Sequence, residues 1–205
     1  MSYILKAETT NVHNMTKLPI TVLIFICHFF PAFSYAQDTE GAWQQLRQGR
    51  AVALIRHALA PGFSDPAGFL MDDCTTQRLL SEEGRQQAVH IGDVFRANGI
   101  DDANMLSSHW CRCVDTAQLM GLGEVVIMSA LNSFFENRAA ANEQTAHVLE
   151  AMPGWLQDNN DNPTVLVTHQ VNISAITGAA TGSGEILIVT LKDDSVQILE
   201  SITTR

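Results

Sequence analysis

The chain has 205 residues, 46% of them apolar and 17% charged, with a formal net charge of −10. Length and composition suit one globular domain with a buried core and exclude a disordered or fibrous chain. The acidic balance argues against nucleic acid as the main partner, because a phosphate backbone demands a basic face. It does not exclude a small phosphorylated substrate, whose pocket needs only two or three local cations.

Lys17 is followed by an apolar run from Leu18 to Phe33, which closes on Ser34-Tyr35-Ala36. A basic start, a short apolar segment and a small-x-small site predict a secretory signal peptide over residues 1–36. Met15 is an alternative start, since residues 1–14 add nothing such a leader needs. The apolar run is short for a membrane span, so no stable membrane insertion is expected after cleavage. The protein is accordingly expected in the periplasm or outside the cell, with an uncleaved anchor as the alternative. Without Lys6, Lys17 and Glu8, residues 37–205 hold ten basic against 21 acidic side chains, a net of −11. Three cysteines remain there, Cys74, Cys111 and Cys113. An oxidising compartment permits a disulfide, and Cys74 with either Cys111 or Cys113 is the easier pairing. No second Cys or His pair accompanies Cys111-x-Cys113, so no metal site is expected.

The apolar run Ala51–Ile55 predicts a short strand buried on both faces, and Met105–Leu106, Val125–Met128 and Thr164–Val167 predict three more strands. Ile186–Leu191 and Val196–Leu199 flank Asp193-Asp194 and predict a C-terminal hairpin. Helices alternate with these strands. Ser81 caps one whose apolar positions Ala88, Ile91, Val94 and Phe95 recur at threes and fours before Asn98-Gly99. Val114–Leu119, ended by Gly121, predicts a second. A third spans about Ala139–Leu156, with Ala146, Leu149 and Leu156 on one face and a break possible at Pro153-Gly154. The segment from Gln170 to Ile176 predicts a short fourth. The alternation implies an α/β fold with a largely parallel sheet. The irregular stretch Pro61–Thr76 is too long for a plain connection and is expected to be a functional loop.

Ligands of such sheets bind beyond the carboxyl ends of the strands. Three predicted strand ends carry suitable chemistry: Arg56-His57-Ala58, Ser107-Ser108 followed by Arg112, and Thr168-His169-Gln170. Either Arg56-His57 or His169 alone would be unremarkable as a polar strand end or a satisfied core histidine. Two His and two Arg at strand ends together point to an anion site with a nucleophile.

Four segments resemble the signatures of the histidine phosphatase (phosphoglycerate-mutase-like) superfamily, in family order across residues 50–178. Arg56-His57-Ala58 is similar to its Arg-His-Gly/Ala. Leu80-Ser81-Glu82-Glu83-Gly84-Arg85-Gln86-Gln87-Ala88 is similar to its Leu-Thr/Ser-x-x-Gly-x-x-Gln-Ala. Ser107-Ser108, Arg112 and Thr116-Ala117 match its second arginine element, and Thr168-His169 its second histidine. The resemblance implies a three-layer α/β/α sandwich over residues 37–205 and a phosphomonoesterase that needs no metal or other cofactor. His57 would be the phosphate-accepting nucleophile, with Arg56, Arg112 and a protonated His169 holding the phosphate.

The proton donor is less specified. One branch of the family places a Glu about two dozen residues after the second Arg, and Glu136 stands there. The other branch uses an Asp after the second His, where this chain has Gln170, which cannot deliver a proton. The expectation is therefore Glu136, with Asp72 and Asp73 as alternatives, and Arg78 could reach the pocket or a nearby carboxylate. Family members in cell envelopes suggest an envelope phosphosugar as substrate. A phosphohistidine protein phosphatase and a non-catalytic phosphate- or glycan-binding module are the rival functions.

Overall fold

The computed structural model describes residues 35–157 and 162–204, which belong to one compact unit spanning Phe33–Arg205. The predicted leader lies outside the described residues, apart from Tyr35 and Ala36, which open the first helix. Among the described residues no helix is long and apolar enough to cross a membrane.

The elements in chain order are α1 (Tyr35–Arg47), β1 (Val52–Arg56), α2 (Glu82–Ala97), β2 (Asn104–Ser107), α3 (Cys111–Met120) and β3 (Val125–Ile127). They continue with α4 (Ala141–Trp155), β4 (Thr164–Thr168), α5 (Gln170–Thr177), β5 (Ile186–Lys192) and β6 (Ser195–Ile202). One six-stranded sheet runs β3-β2-β4-β1-β5-β6. The four strands from β3 to β1 are parallel, while β5 and β6 add an antiparallel edge. The β5–β6 turn uses positive φ at Asp193 and Asp194, 50° and 57°, as a tight hairpin matching strand twist requires.

Alternate strand residues face opposite sides, and each side has its own core. Ala53, Ile55, Met105, Val165 and Val167 pack with Trp43 and Leu46 of α1, Ile91 and Phe95 of α2, and Ala117 and Met120 of α3. Val52, Leu54 and Leu166 pack with Val148 and Met152 of α4 and Ile173 of α5. The result is the three-layer α/β/α sandwich, with the mostly parallel sheet in the middle.

Three local expectations are corrected. Helix α1 was not anticipated; it buries Ala42, Trp43 and Leu46. Helix α3 starts at Cys111 rather than Val114, which brings Arg112 into its first turn. Helix α4 runs through Pro153, and the Leu156 amide still reaches the Met152 carbonyl at 3.1 Å. Its fully buried positions are Val148 and Met152, one turn apart, while Leu149 and Leu156 pack only partly against that core.

Candidate active site

Strand register brings the chemistry together. Arg56 pairs with Thr168 between β1 and β4, and Ser107 with Val167 between β2 and β4. The residues that follow, His57, Ser108 and His169, therefore emerge side by side at the carboxyl edge. His57 and His169 border one cavity of about 400 Å³, lined also by Arg56, Arg78, Arg112, Asp65 and Glu136.

His57 is 3% exposed, and its Nδ1 lies 2.8 Å from the Ala58 carbonyl. A carbonyl only accepts, so Nδ1 carries the proton and Nε2 offers its lone pair. Burial pushes the His57 pKa down to about 3, with Arg112, Arg78 and Arg56 adding to the effect against the Ala58 bond. A neutral imidazole is the form a nucleophile needs.

Conserving this geometry falls to the backbone just past His57. The Ala58 amide donates to Thr116 Oγ1 at 3.0 Å, and that hydroxyl donates to the Arg112 carbonyl at 2.6 Å. The Leu59 amide donates to Gln87 Oε1 at 2.9 Å, and Gln87 Nε2 reaches the Ser183 and Thr204 carbonyls at 2.9 and 2.8 Å. Gly84 lets α2 abut this segment, since a Cβ there would stand 2.0 Å from the Leu59 oxygen. The Ser81 hydroxyl caps α2 by accepting from the Gly84 amide at 3.0 Å.

Three arginines face the cavity, each held by one nitrogen. Arg56 Nη1 donates to the Thr181 carbonyl at 2.7 Å, Arg78 Nη1 to the Ala60 carbonyl, and Arg112 Nη1 to Asp65 Oδ1 at 2.8 Å. In all three the Nε is buried and without a partner among the described residues. A buried N–H donor without an acceptor is costly, and three around one cavity mark a place for an acceptor-rich anion.

Asp65, in the loop after β1, is the carboxylate that pairs directly with Arg112 in this cluster of cations. It also accepts from the Arg78 amide at 2.9 Å and from Trp110 Nε1 at 3.0 Å. Burial alone would raise its pKa, but the Arg78 amide, Arg112 and Trp110 together hold the carboxyl below its ordinary value. The Arg112–Asp65 side chains are 4% and 6% exposed. Arg112 thus pairs with Asp65 and not with Asp115, which meets Arg85 at 3.3 Å.

Burial first, then His57 and the three arginines, push the His169 pKa well below its ordinary value, which favours a neutral ring. Its Nε2 lies 2.9 Å from Ser108 Oγ and 3.5 Å from Cys113 Sγ. The Ser108 hydroxyl donates to Asn132 Oδ1 at 3.3 Å, an oxygen already fixed by accepting the His109 amide at 2.8 Å. Ser108 therefore accepts from Nε2–H, which leaves Nδ1 as the unprotonated atom.

Of the other acidic candidates, Glu136 lines the cavity, while Asp72 and Asp73 do not. Asp72 lies 3.2 Å from His109 Nε2, and Asp73 caps the turn Cys74–Thr76. Cys74 is bonded to Cys111, tying the loop to the residue before Arg112, and Cys113 is a free, buried thiol. Sequence reasoning missed Asp65 altogether and left Arg78 undecided. The length of the Pro61–Thr76 segment was the available signal, and it did not single out either residue.

A family model described as the histidine phosphatase superfamily (branch 1) matches residues 52–163. No curated protein matches the sequence. Among solved structures, the chain resembles a candidate phosphohistidine phosphatase, SixA, from Agrobacterium tumefaciens, at 19% identity and a TM-score of 0.52. That match covers 76% of this chain and 98% of the other. A mycobacterial glucosyl-3-phosphoglycerate phosphatase in complex with VO3 matches at 17% identity and a TM-score of 0.53, covering 73% and 96%. A candidate α-ribazole-5′-phosphate phosphatase from Escherichia coli matches at 15% and 0.52, covering 72% and 93%. At these identities the likeness is one of fold.

Proposed function

Because the chain belongs to the histidine phosphatase superfamily, branch 1, we propose that it is a metal-independent phosphomonoesterase working through a phosphohistidine on His57. The observation that carries this reading is the set of three buried, unpartnered Nε donors around a neutral imidazole. Three guanidiniums offset by Asp65 leave about two positive charges, which suits a phosphate dianion. Each such donor contributes about 2–4 kcal/mol to a charged transition state, by analogy with oxyanion-hole deletions. Phosphoryl transfer depends mainly on this kind of placed charge.

In the first step His57 Nε2 forms a bond to phosphorus as the bond to the leaving oxygen breaks, and that oxygen takes a proton. Two carboxyl groups line the cavity. Asp65 is held ionised by the Arg78 amide and by Arg112, so Glu136 is the donor. In the second step water attacks phosphorus, gives its proton to Glu136, and inorganic phosphate leaves His57. With the phosphate dianion bound, His169 Nδ1 takes a proton from solvent and shares it with a phosphate oxygen as a hydrogen bond. The Gln170–Val171 turn opens α5 at the cavity, so the positive helix end also faces the anion.

Export rests on the signal-like N-terminus, supported by the Cys74–Cys111 disulfide, a bond of oxidising compartments. An envelope phosphosugar is the natural substrate this location favours. The test is hydrolysis of an aryl phosphate by the purified chain beside His57→Ala, with acid-labile phosphate on His57 sought after a quenched turnover. Equal rates with and without His57 would leave only a binding module.

A further inference from the structure

We infer that the substrate's leaving group is an uncharged ring, gripped at the cavity mouth by Phe63 and Phe135. The inference rests on the phosphatase reading above and deepens it. His57 is buried at the cavity floor. In-line displacement places the leaving oxygen on the far side of phosphorus from the attacking nitrogen, so the leaving group points away from the floor and out through the mouth.

The side chains on that path are not those of a charge-binding site. The cationic lining consists of Arg56, Arg78 and Arg112, all committed around the phosphate position. The rest of the wall includes Leu59, Pro61, Phe63, Phe69, Phe135 and Val171, and its remaining carboxyl is Glu136. A second phosphate or carboxylate on the substrate would meet apolar surface and the carboxyl of Glu136, while the cation nearest that wall, Arg138, is engaged over the Phe135 ring. A desolvated, unpaired anion is strongly disfavoured.

Phe63 is 89% exposed and Phe135 44% exposed, although both line the cavity. Large apolar groups left open beside a binding cleft mark a surface that is covered on binding. They come from separate segments, Phe63 from the loop after β1 and Phe135 from the loop before α4. Arg138 lies over the Phe135 ring, 5.1 Å from its centroid, and holds its orientation. Flat aromatic surfaces of this kind take an aryl ring by stacking and a pyranose by its C–H face. An acyclic polyol has no such face.

The decisive comparison uses phenyl phosphate, a hexose phosphate and glycerol 2-phosphate with the full chain and with Phe63→Ala. Phe63 is so exposed that the substitution removes almost no packing, and Phe135→Ala supplies an independent second variant. For either variant KM should rise about three- to ten-fold more on the ring substrates than on glycerol 2-phosphate, in line with the worth of one aromatic contact. The values of kcat should move far less than KM. An effect on phenyl phosphate alone would mark the ring as aryl, and one on both ring substrates would admit the sugar. Turnover of all three substrates with equal changes in KM, or with none, would overturn the ring inference while leaving the phosphatase reading intact. Absence of turnover on every substrate would overturn both.

Discussion

Asp65→Ala removes one carboxylate and strands three donors. Arg112 Nη1 loses oxygens at 2.8 and 3.1 Å, Trp110 Nε1 loses one at 3.0 Å, and the Arg78 amide loses one at 2.9 Å. The Arg112 side chain is 4% exposed, so bulk water offsets little of the loss of Asp65. Breaking a buried ion pair from one side costs about 3–5 kcal/mol, because the remaining charge stays buried. For a domain of this size each kcal/mol moves Tm by about 2–4 °C. Asp65→Ala should therefore melt about 6–20 °C lower at pH 7, as followed by circular dichroism. The pH dependence supplies the sharper check. Asp65 has a folded pKa below its ordinary value of about 3.9. Its contribution is complete above that value and is lost as pH falls through the lower, folded one. The gap in Tm between the two proteins should hold steady from neutral pH to about pH 5 and narrow below about pH 4. A variant melting within about 2 °C of the unmodified protein at pH 7, or a gap that widens in acid, would refute the buried, ionised network.

His57→Ala should abolish acid-labile phosphate labelling and bring turnover to background, as measured by quenched single turnover. His57 has a folded pKa near 3 against about 6.5 unfolded, so the unfolded chain binds the extra proton between those values. Stability should fall by about 1.4 kcal/mol per pH unit for this residue as pH drops from about 6.5, and urea titrations of His57→Asn should show a shallower acid slope. Glu136→Gln should lower kcat about 10²- to 10⁴-fold on an alkyl phosphate and much less on an aryl phosphate, whose leaving oxygen needs no proton. Similar losses on both would remove Glu136 from the acid role. Replacing Cys74 and Cys111 by Ser opens a loop whose ends are 37 residues apart, which by chain entropy costs about 4 kcal/mol. Urea unfolding reads that loss, and a stability equal to the parent's would argue against a structural role for the bond.

Much of the site could be read locally because its parts sit at strand ends. The run Ala51–Ile55 is apolar on both faces, so Arg56-His57 had to fall where the chain leaves the sheet. The same holds for Ser107-Ser108 and Thr168-His169. The signature around Leu80–Ala88 also has a local cause, since Gly84 and Gln87 both serve the backbone at Leu59. What escaped was whatever depends on a distant partner. Asp65, Asp72 and Asp73 are equivalent as acidic residues of one long loop. Only the fold places Asp65 against Arg112, 47 residues away, and turns Asp72 toward His109. Helix α3 was placed too late because Cys111-Arg112-Cys113 has no apolar period of its own and is helical through its packing under His169.

By itself, the sequence determined the alternation of strands and helices, the candidate nucleophile His57 and two of the arginines beside it, through periodicity and through residues whose chemistry is rare at strand ends. Tertiary structure decided the protonation of His169, the choice of Cys111 over Cys113, the third arginine and the carboxylate that balances it. Each of those depends on burial or on the spacing of groups far apart in the chain. Charge interactions follow distance in space, and only the folded sheet brings β1, β2 and β4 to one edge.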